Sequence, residues 1–126
     1  MSESVENAVY RDAARPVGER VEDLLGRMTL DEKVAQLTGI LPFDLLGPAG
    51  LSRPLMEQHL GEGLGEISAG GLLSPDPTNL ISALSAIQEY LVEETRLGIP
   101  AIVHQEALSG VVHAAPELEQ LLDLRG

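Results

Sequence analysis

The grouping in this sequence best placed to do chemistry is His104-Gln105-Glu106. It follows directly on the apolar run Ile99–Val103, and in α/β folds the carboxyl ends of parallel strands carry the ligand site. A histidine beside a carboxylate at such an end binds a polar ligand through both a ring nitrogen and two acceptor oxygens. The plainer alternative is that His104 closes the strand and Glu106 is solvated, and spacing alone favours that alternative.

Other groupings fail on spacing or composition. The His104-x-Glu106 pair has the first half of a zinc deaminase signature, but the cysteine ligands that signature requires do not exist in a chain without cysteine. His104, Glu106 and His113 do not fall on an H-E-x-x-H helix, so no metal site is expected. Gly61, Gly63 and Gly65 begin like a dinucleotide-binding loop, but Glu66 occupies the position of the last glycine in G-x-G-x-x-G. Ser109 lies in no G-x-S-x-G elbow, which leaves a hydrolytic triad without support.

The elements that must position His104 and Glu106 are legible from periodicity and capping. Val17, Val21, Leu24, Leu25 and Met28 recur at helical spacing. Thr29 followed by Glu32 is a capping box, in which each side chain satisfies the other's free backbone N–H, and it predicts a second helix from Leu30 to about Leu37. Gly39 and Pro42 end that helix. Residues 39–63 are rich in Gly and Pro and read as a long loop with a short helix at Pro54–Leu60; loops of that length are uncommon unless functional or mobile. From Leu64 the pattern becomes βαβ. A strand at Gly65–Ser68 is followed by a turn at Pro75–Asn79 that supplies an N-cap. A helix with Leu80, Leu84, Ile87 and Leu91 on one face then runs to about Thr95, with Gly98 as its C′ glycine. Ile99–Val103 reads as a strand buried on both faces and therefore parallel, joined to the first by a right-handed crossover. Pro116–Gly126 is compatible with one more short helix through Leu118, Leu121 and Leu122.

Composition narrows the function classes. The chain has 126 residues, 20 acidic against 8 basic, and a net charge of −12, which gives no electrostatic footprint for nucleic acid. Aromatic residues make up 2%, so a stacking platform for sugars or bases is nearly excluded. A hydrophobic fraction of 44% suffices for a core and argues against disorder. The absence of cysteine removes disulfides and thiol catalysis and suits a reducing compartment. The start MSESVENAVYRDAARP has no basic region followed by an apolar one, and no apolar run approaches the roughly 20 residues of a membrane span. The expectation is a cytoplasmic protein without nucleic-acid or membrane partners. Residues 1–16 are polar and expected to be poorly ordered.

Three segments together carry a resemblance. Arg20–Leu37 (RVEDLLGRMTLDEKVAQL) resembles the opening of glycoside hydrolase family 3 enzymes, the β-glucosidases and β-xylosidases. Gly65-Glu66-Ile67-Ser68 looks like the first barrel strand of that family, and Thr95–Gly110 (TRLGIPAIVHQEALSG) resembles its next strand and the turn on the substrate side. Asn79 and Gln88 on the intervening helix also fit. The resemblance covers roughly residues 10–110, and three segments in order at the right spacing make it specific.

The resemblance implies an α/β fold: the N-terminal portion of a (β/α)8 TIM barrel, with about two strands and their preceding helices, the barrel incomplete. Residues 17–110 are then a partial family 3 N-terminal domain, with 111–126 as a divergent tail. The family hydrolyses terminal β-linked glucosides or xylosides with retention and without a metal or organic cofactor. By position, Glu106 matches the acidic residue that binds sugar hydroxyls next to the scissile bond; His104, from its place at the strand end, is the second candidate substrate-binding residue. Glu106 is not the nucleophile.

Retention needs two carboxyl groups about 5–5.5 Å apart. The family's nucleophile is an Asp typically followed by Trp, and this chain has no Trp. None of Asp12, Asp23, Asp31, Asp44, Asp76 or Asp123 precedes an aromatic residue. The family's Lys-His clamp is missing as well, since Lys33 is the only lysine and precedes Val34. A barrel of this class takes roughly 250 residues. The expectation is therefore a chain truncated or shifted in frame near Gly110–His113, marginal in stability because two strands leave open sheet edges. No catalytic residue is assigned within it. Three functional readings follow from the sequence: an inactive portion of a β-glycosidase, half of a split enzyme whose complementing chain supplies the remaining barrel, or a non-catalytic sugar-binding module.

Overall fold

The computed structural model describes residues 5–74 and 76–105. Its first helix, α1 (Val17–Arg27), forms where the apolar periodicity places it, and α2 (Leu30–Ala35) starts at the expected cap. Thr29 Oγ1 accepts from the Glu32 backbone N–H at 3.1 Å, and Glu32 Oε2 accepts from the Thr29 N–H at 2.8 Å. The second helix stops two residues short of Leu37. The carbonyl of Ala35 is taken by the Thr38 hydroxyl at 2.8 Å and by the Gly65 N–H at 3.0 Å, so the chain leaves the helix to enter a sheet.

The segment read as a loop holds most of the unforeseen structure. β1 (Gly39–Ile40) is followed by a 3-10 turn at Pro42–Leu45, by a small antiparallel hairpin of β2 (Leu46–Gly47) and β3 (Gly50–Leu51), and by α3 (Arg53–Leu60). Then come β4 (Glu66–Ile67), a 3-10 turn at Gly70–Leu73, α4 (Pro77–Glu93) and β5 (Ile102–Val103). The sheet order is β1-β4-β5, both pairings parallel, with Gly39, Glu66 and Ile102 in one row and Ile40, Ile67 and Val103 in the next.

The described residues thus contain three parallel strands where two were expected. A two-residue strand has no alternation to read. β1 exists because Ser68 N–H donates to the Ile40 carbonyl at 2.9 Å and Glu66 N–H to the Thr38 carbonyl at 3.3 Å, contacts made across the fold.

The core lies on one side of this sheet. Leu45, Leu60, Leu64, Ile67, Ile87 and Leu91 are fully buried there, joining the hairpin region, α3, β4 and α4. Asp76 caps α4 by accepting from the Asn79 N–H at 2.9 Å. That helix ends at Glu93 with Glu94 as its cap, so Gly98, at φ +61°, is not its C′ residue; it turns the chain toward β5 instead.

The strand Ile99–Val103 is a second correction. Only Ile102 and Val103 are strand, and they are 71% and 39% exposed rather than buried on both faces. β5 is the edge of the described sheet, and nothing among the described residues covers its far face. α1 and α2 are similarly uncovered: Val21, Leu25, Met28, Leu37 and Ile99 line an open groove of about 390 Å³.

The N-terminal stretch also departs from expectation in its described part. Residues 5–7 and 9–11 form 3-10 turns that dock Tyr10, whose hydroxyl donates to the Leu97 carbonyl at 2.7 Å. Tyr10 is one of two tyrosines in the chain, and burying its ring with its hydroxyl hydrogen-bonded orders this segment. No helix among the described residues is long and apolar enough to cross a membrane. The short helix expected at Pro116–Gly126 and the divergent tail lie outside the described residues.

Candidate functional site

The site is built by the register of β4 and β5. Ile67 pairs with Val103, so the residues that follow, Ser68 and His104, leave the two strands side by side at their carboxyl ends. His104 N–H donates to the Ile67 carbonyl at 3.1 Å, and the His104 carbonyl accepts from Gly70 N–H at 3.2 Å. Gln105 Oε1 accepts from Gly71 N–H at 2.8 Å. The exit of β5 is thereby stitched to the turn after β4. On the helix side, Gln88 holds both backbone groups of Ala101: its amide donates to the carbonyl at 2.8 Å and its oxygen accepts the N–H at 3.1 Å. Gln88 therefore fixes where β5 begins.

Side chains two apart along a strand share a face. Glu66 on β4 and Ser68 just after it, and Ile102 on β5 and His104 just after it, consequently share the face turned away from the core. There His104 Nε2 lies 3.1 Å from Ser68 Oγ, Ser68 Oγ donates to Glu66 Oε1 at 3.3 Å, and His104 Nε2 lies 3.5 Å from Glu66 Oε1. Gly39 on β1 makes room for the carboxylate. A Cβ at Gly39 would stand 2.6 Å from Glu66 Oε1 and 2.7 Å from its Cγ.

The cluster excludes one chemistry directly. An activated serine nucleophile gives its proton to the histidine, which a carboxylate orients from the other ring nitrogen. Here the carboxylate contacts Ser68, and the same His104 nitrogen faces both, so Ser68 is a hydrogen-bonding group. The arrangement suits a ligand rich in hydroxyls, offering a ring nitrogen, a hydroxyl and a half-exposed carboxylate on an open face.

Of the residues singled out from sequence, His104 is at this site. Glu106, His113 and Ser109 lie outside the described residues. No group of three potential metal ligands occurs among the described residues. The Gly61-x-Gly63-x-Gly65 run is a close-packing device: Gly63 takes φ +95°, and Gly65 sits against the backbone of Gln36. Asn79 contributes its backbone N–H to the cap of α4.

Glu66 and Ser68 were missed as site residues. The available signal was a charged residue, Glu66, inside the strand expected at Gly65–Ser68.

No family model matches the chain. Over 106 residues it is 30% identical to a protein of Formosa agariphila that carries a provisional β-xylosidase name, covering 81% of this chain and 14% of that protein. Over 102 residues it is 37% identical to β-glucosidase C of Aspergillus flavus and 36% identical to that of Aspergillus oryzae, both likewise provisionally named. These matches cover 75% of this chain and 16% and 15% of those proteins. The solved structure of a β-glucosidase from Erythrobacter marinus, EmGH1, superposes with a TM-score of 0.65 at 28% identity, covering 86% of this chain and 14% of that one. The chain thus spans about one-seventh of the length of the proteins it matches. In sequence and in its parallel α/β architecture, it is similar to a portion of a glycosidase TIM barrel.

Proposed function

We propose that this chain is the opening part of the catalytic barrel of a glycoside hydrolase family 3 β-glycosidase, acting on terminal β-linked glucosides or xylosides. Within that enzyme it supplies contacts to sugar hydroxyls and neither catalytic carboxylate. The observation that carries the reading is His104 beside Ser68 at the carboxyl ends of adjacent parallel strands, in a chain similar to part of several β-glycosidases. Ligand sites of such barrels lie at that end of the strands. Glu106, two residues on, brings a carboxylate able to accept from two vicinal hydroxyls at once.

Retaining hydrolysis needs a nucleophile and an acid/base about 5–5.5 Å apart, whereas the described cluster has the single carboxylate of Glu66. In this reading the other strands and both catalytic carboxylates come from sequence not contained in this chain, on the same polypeptide or on a complementing one. The uncovered groove along α1 and α2 and the exposed edge strand β5 favour such a covering partner.

Titrating the isotope-labelled chain with methyl β-glucoside and methyl β-xyloside tests the reading. The expected result is amide shift changes at Ser68, His104 and Gln105 that are lost in His104→Ala, with no hydrolysis of aryl β-glucosides or β-xylosides. Shifts confined to the α1–α2 groove, or turnover by this chain alone, would contradict it.

A further inference from the structure

The three polar side chains on the open face define a direction of hydrogen bonding. Ser68 has one hydroxyl proton, and it goes to Glu66 Oε1 at 3.3 Å. The Ser68 oxygen can then only accept from His104 Nε2, which lies 3.1 Å away. Glu66 Oε1, at 3.5 Å from the same nitrogen, adds an acceptor on the same side. Both neighbours favour a proton on Nε2. A neutral imidazole protonated at Nε2 has an unprotonated Nδ1, which accepts a hydrogen bond. Nδ1 has no hydrogen-bond partner among the described residues.

We propose that Glu66 and Ser68 are positioning residues for His104. They fix its ring as the Nε2–H tautomer and turn Nδ1 outward as an acceptor for one hydroxyl of a pyranoside. This rests on the reading of the face as a sugar-hydroxyl surface and adds which ring atom does the binding and what sets it. It also gives Gly39 a purpose. A side chain there would displace the Glu66 carboxylate, because its Cβ would stand 2.6 Å from Oε1. The obstructing atoms are the Oε1, Cδ and Cγ of Glu66, so Gly39→Ala forces the Glu66 side chain out of its place.

Long-range proton–nitrogen correlation spectra of the full chain with labelled histidine read the tautomer directly. They are recorded at about pH 8.5, above the ordinary imidazole range near 6.5. The expected result is a pyrrole-type Nε2 and a pyridine-type Nδ1 for His104 in the sugar-free chain. Glu66→Gln, Ser68→Ala and Gly39→Ala should each move both nitrogens toward the averaged values of a mixed population. Ser68→Thr should restore the single tautomer, and His59 should serve as an unchanged internal reference. A mixed or Nδ1–H population in the unmodified chain would overturn the proposal, as would His104 nitrogens indifferent to all three variants. A fixed tautomer in a chain that gives no shifts with methyl β-glycosides would uphold the positioning role and defeat the sugar reading, so the two failures are distinguishable.

Discussion

Gly65→Ala is expected to abolish the cooperative fold. A Cβ at this position would stand 2.2 Å from the Gln36 carbonyl oxygen, 2.8 Å from its carbon and 3.1 Å from the Thr38 carbonyl oxygen. All three are backbone atoms, so no rotamer change relieves the overlap. Gly65 cannot retreat either. Its N–H donates to the Ala35 carbonyl at 3.0 Å, and its carbonyl accepts from Ile102 N–H at 2.9 Å. Moving the residue strips β4 from both neighbours and uncouples Ser68 from His104. Overpacking costs about 1–3 kcal/mol where a site adjusts, and this one is pinned on both sides, so the upper end applies. A small single core rarely supplies more than about 3–5 kcal/mol, so the penalty consumes most of the stability. Urea unfolding followed by far-UV circular dichroism should show a lost or broadened transition. An unchanged midpoint would contradict the close approach of Gly65 to Gln36.

Arg96→Ala carries the second large effect, and its signature is pH dependence. Glu32 is 5% exposed, yet its carboxylate is held by three groups. Arg96 Nε donates to Oε1 at 2.8 Å, a second Arg96 nitrogen meets Oε2, and Thr29 N–H donates to Oε2 at 2.8 Å. The same guanidinium also donates to the Arg27 carbonyl at 2.8 Å, tying the end of α1 and the start of α2 to the segment after α4. The Arg96 hydrogen bonds, opposed by burial and aided by the Thr29 amide, hold the Glu32 carboxyl below the usual glutamate value.

A depressed folded pKa means that this contribution is complete above the unfolded value of about 4.3 and disappears as pH falls through the lower folded value. Removing Arg96 leaves Glu32 buried with only its cap contact. The expected cost at neutral pH is about 2 kcal/mol, below that of a fully buried pair because Arg96 is half exposed. The loss of stability on acidification below about pH 4.3 should become shallower in Arg96→Ala and in Glu32→Gln. It should not vanish, because Asp23 beside Arg27 and Glu94 beside Arg53 are also held low. Urea midpoints measured against pH for the three chains read the difference, and identical acid slopes would refute the assignment.

What was legible in the sequence was local. Apolar spacing announced α1 and α4, and Thr29 with Glu32 announced the start of α2, because helix and cap signals sit within one turn of the residues that respond to them. Gly39–Ile40 and the β2–β3 hairpin were illegible for the converse reason. Each strand is two residues long, and only pairing with distant backbone makes it a strand. Ile102 misled by its own hydrophobicity: it reads as core, but no described element covers its face. The site divides the same way. His104 was found because it ends an apolar run. Glu66 and Ser68 were not, because only the β4–β5 register and the empty space over Gly39 bring them to it.

The central claim, that this chain is a sugar-holding wall of a β-glycosidase barrel, is tested most directly in a chimera. Residues 17–110 replace the matching segment of the Aspergillus flavus β-glucosidase C, and hydrolysis of an aryl β-glucoside is measured. The account predicts a catalytically competent chimera whose kcat/KM falls about 100-fold in Glu106→Ala, the scale of losing one transition-state hydrogen-bonding group. A folded chimera without activity, or one indifferent to Glu106→Ala, would contradict it.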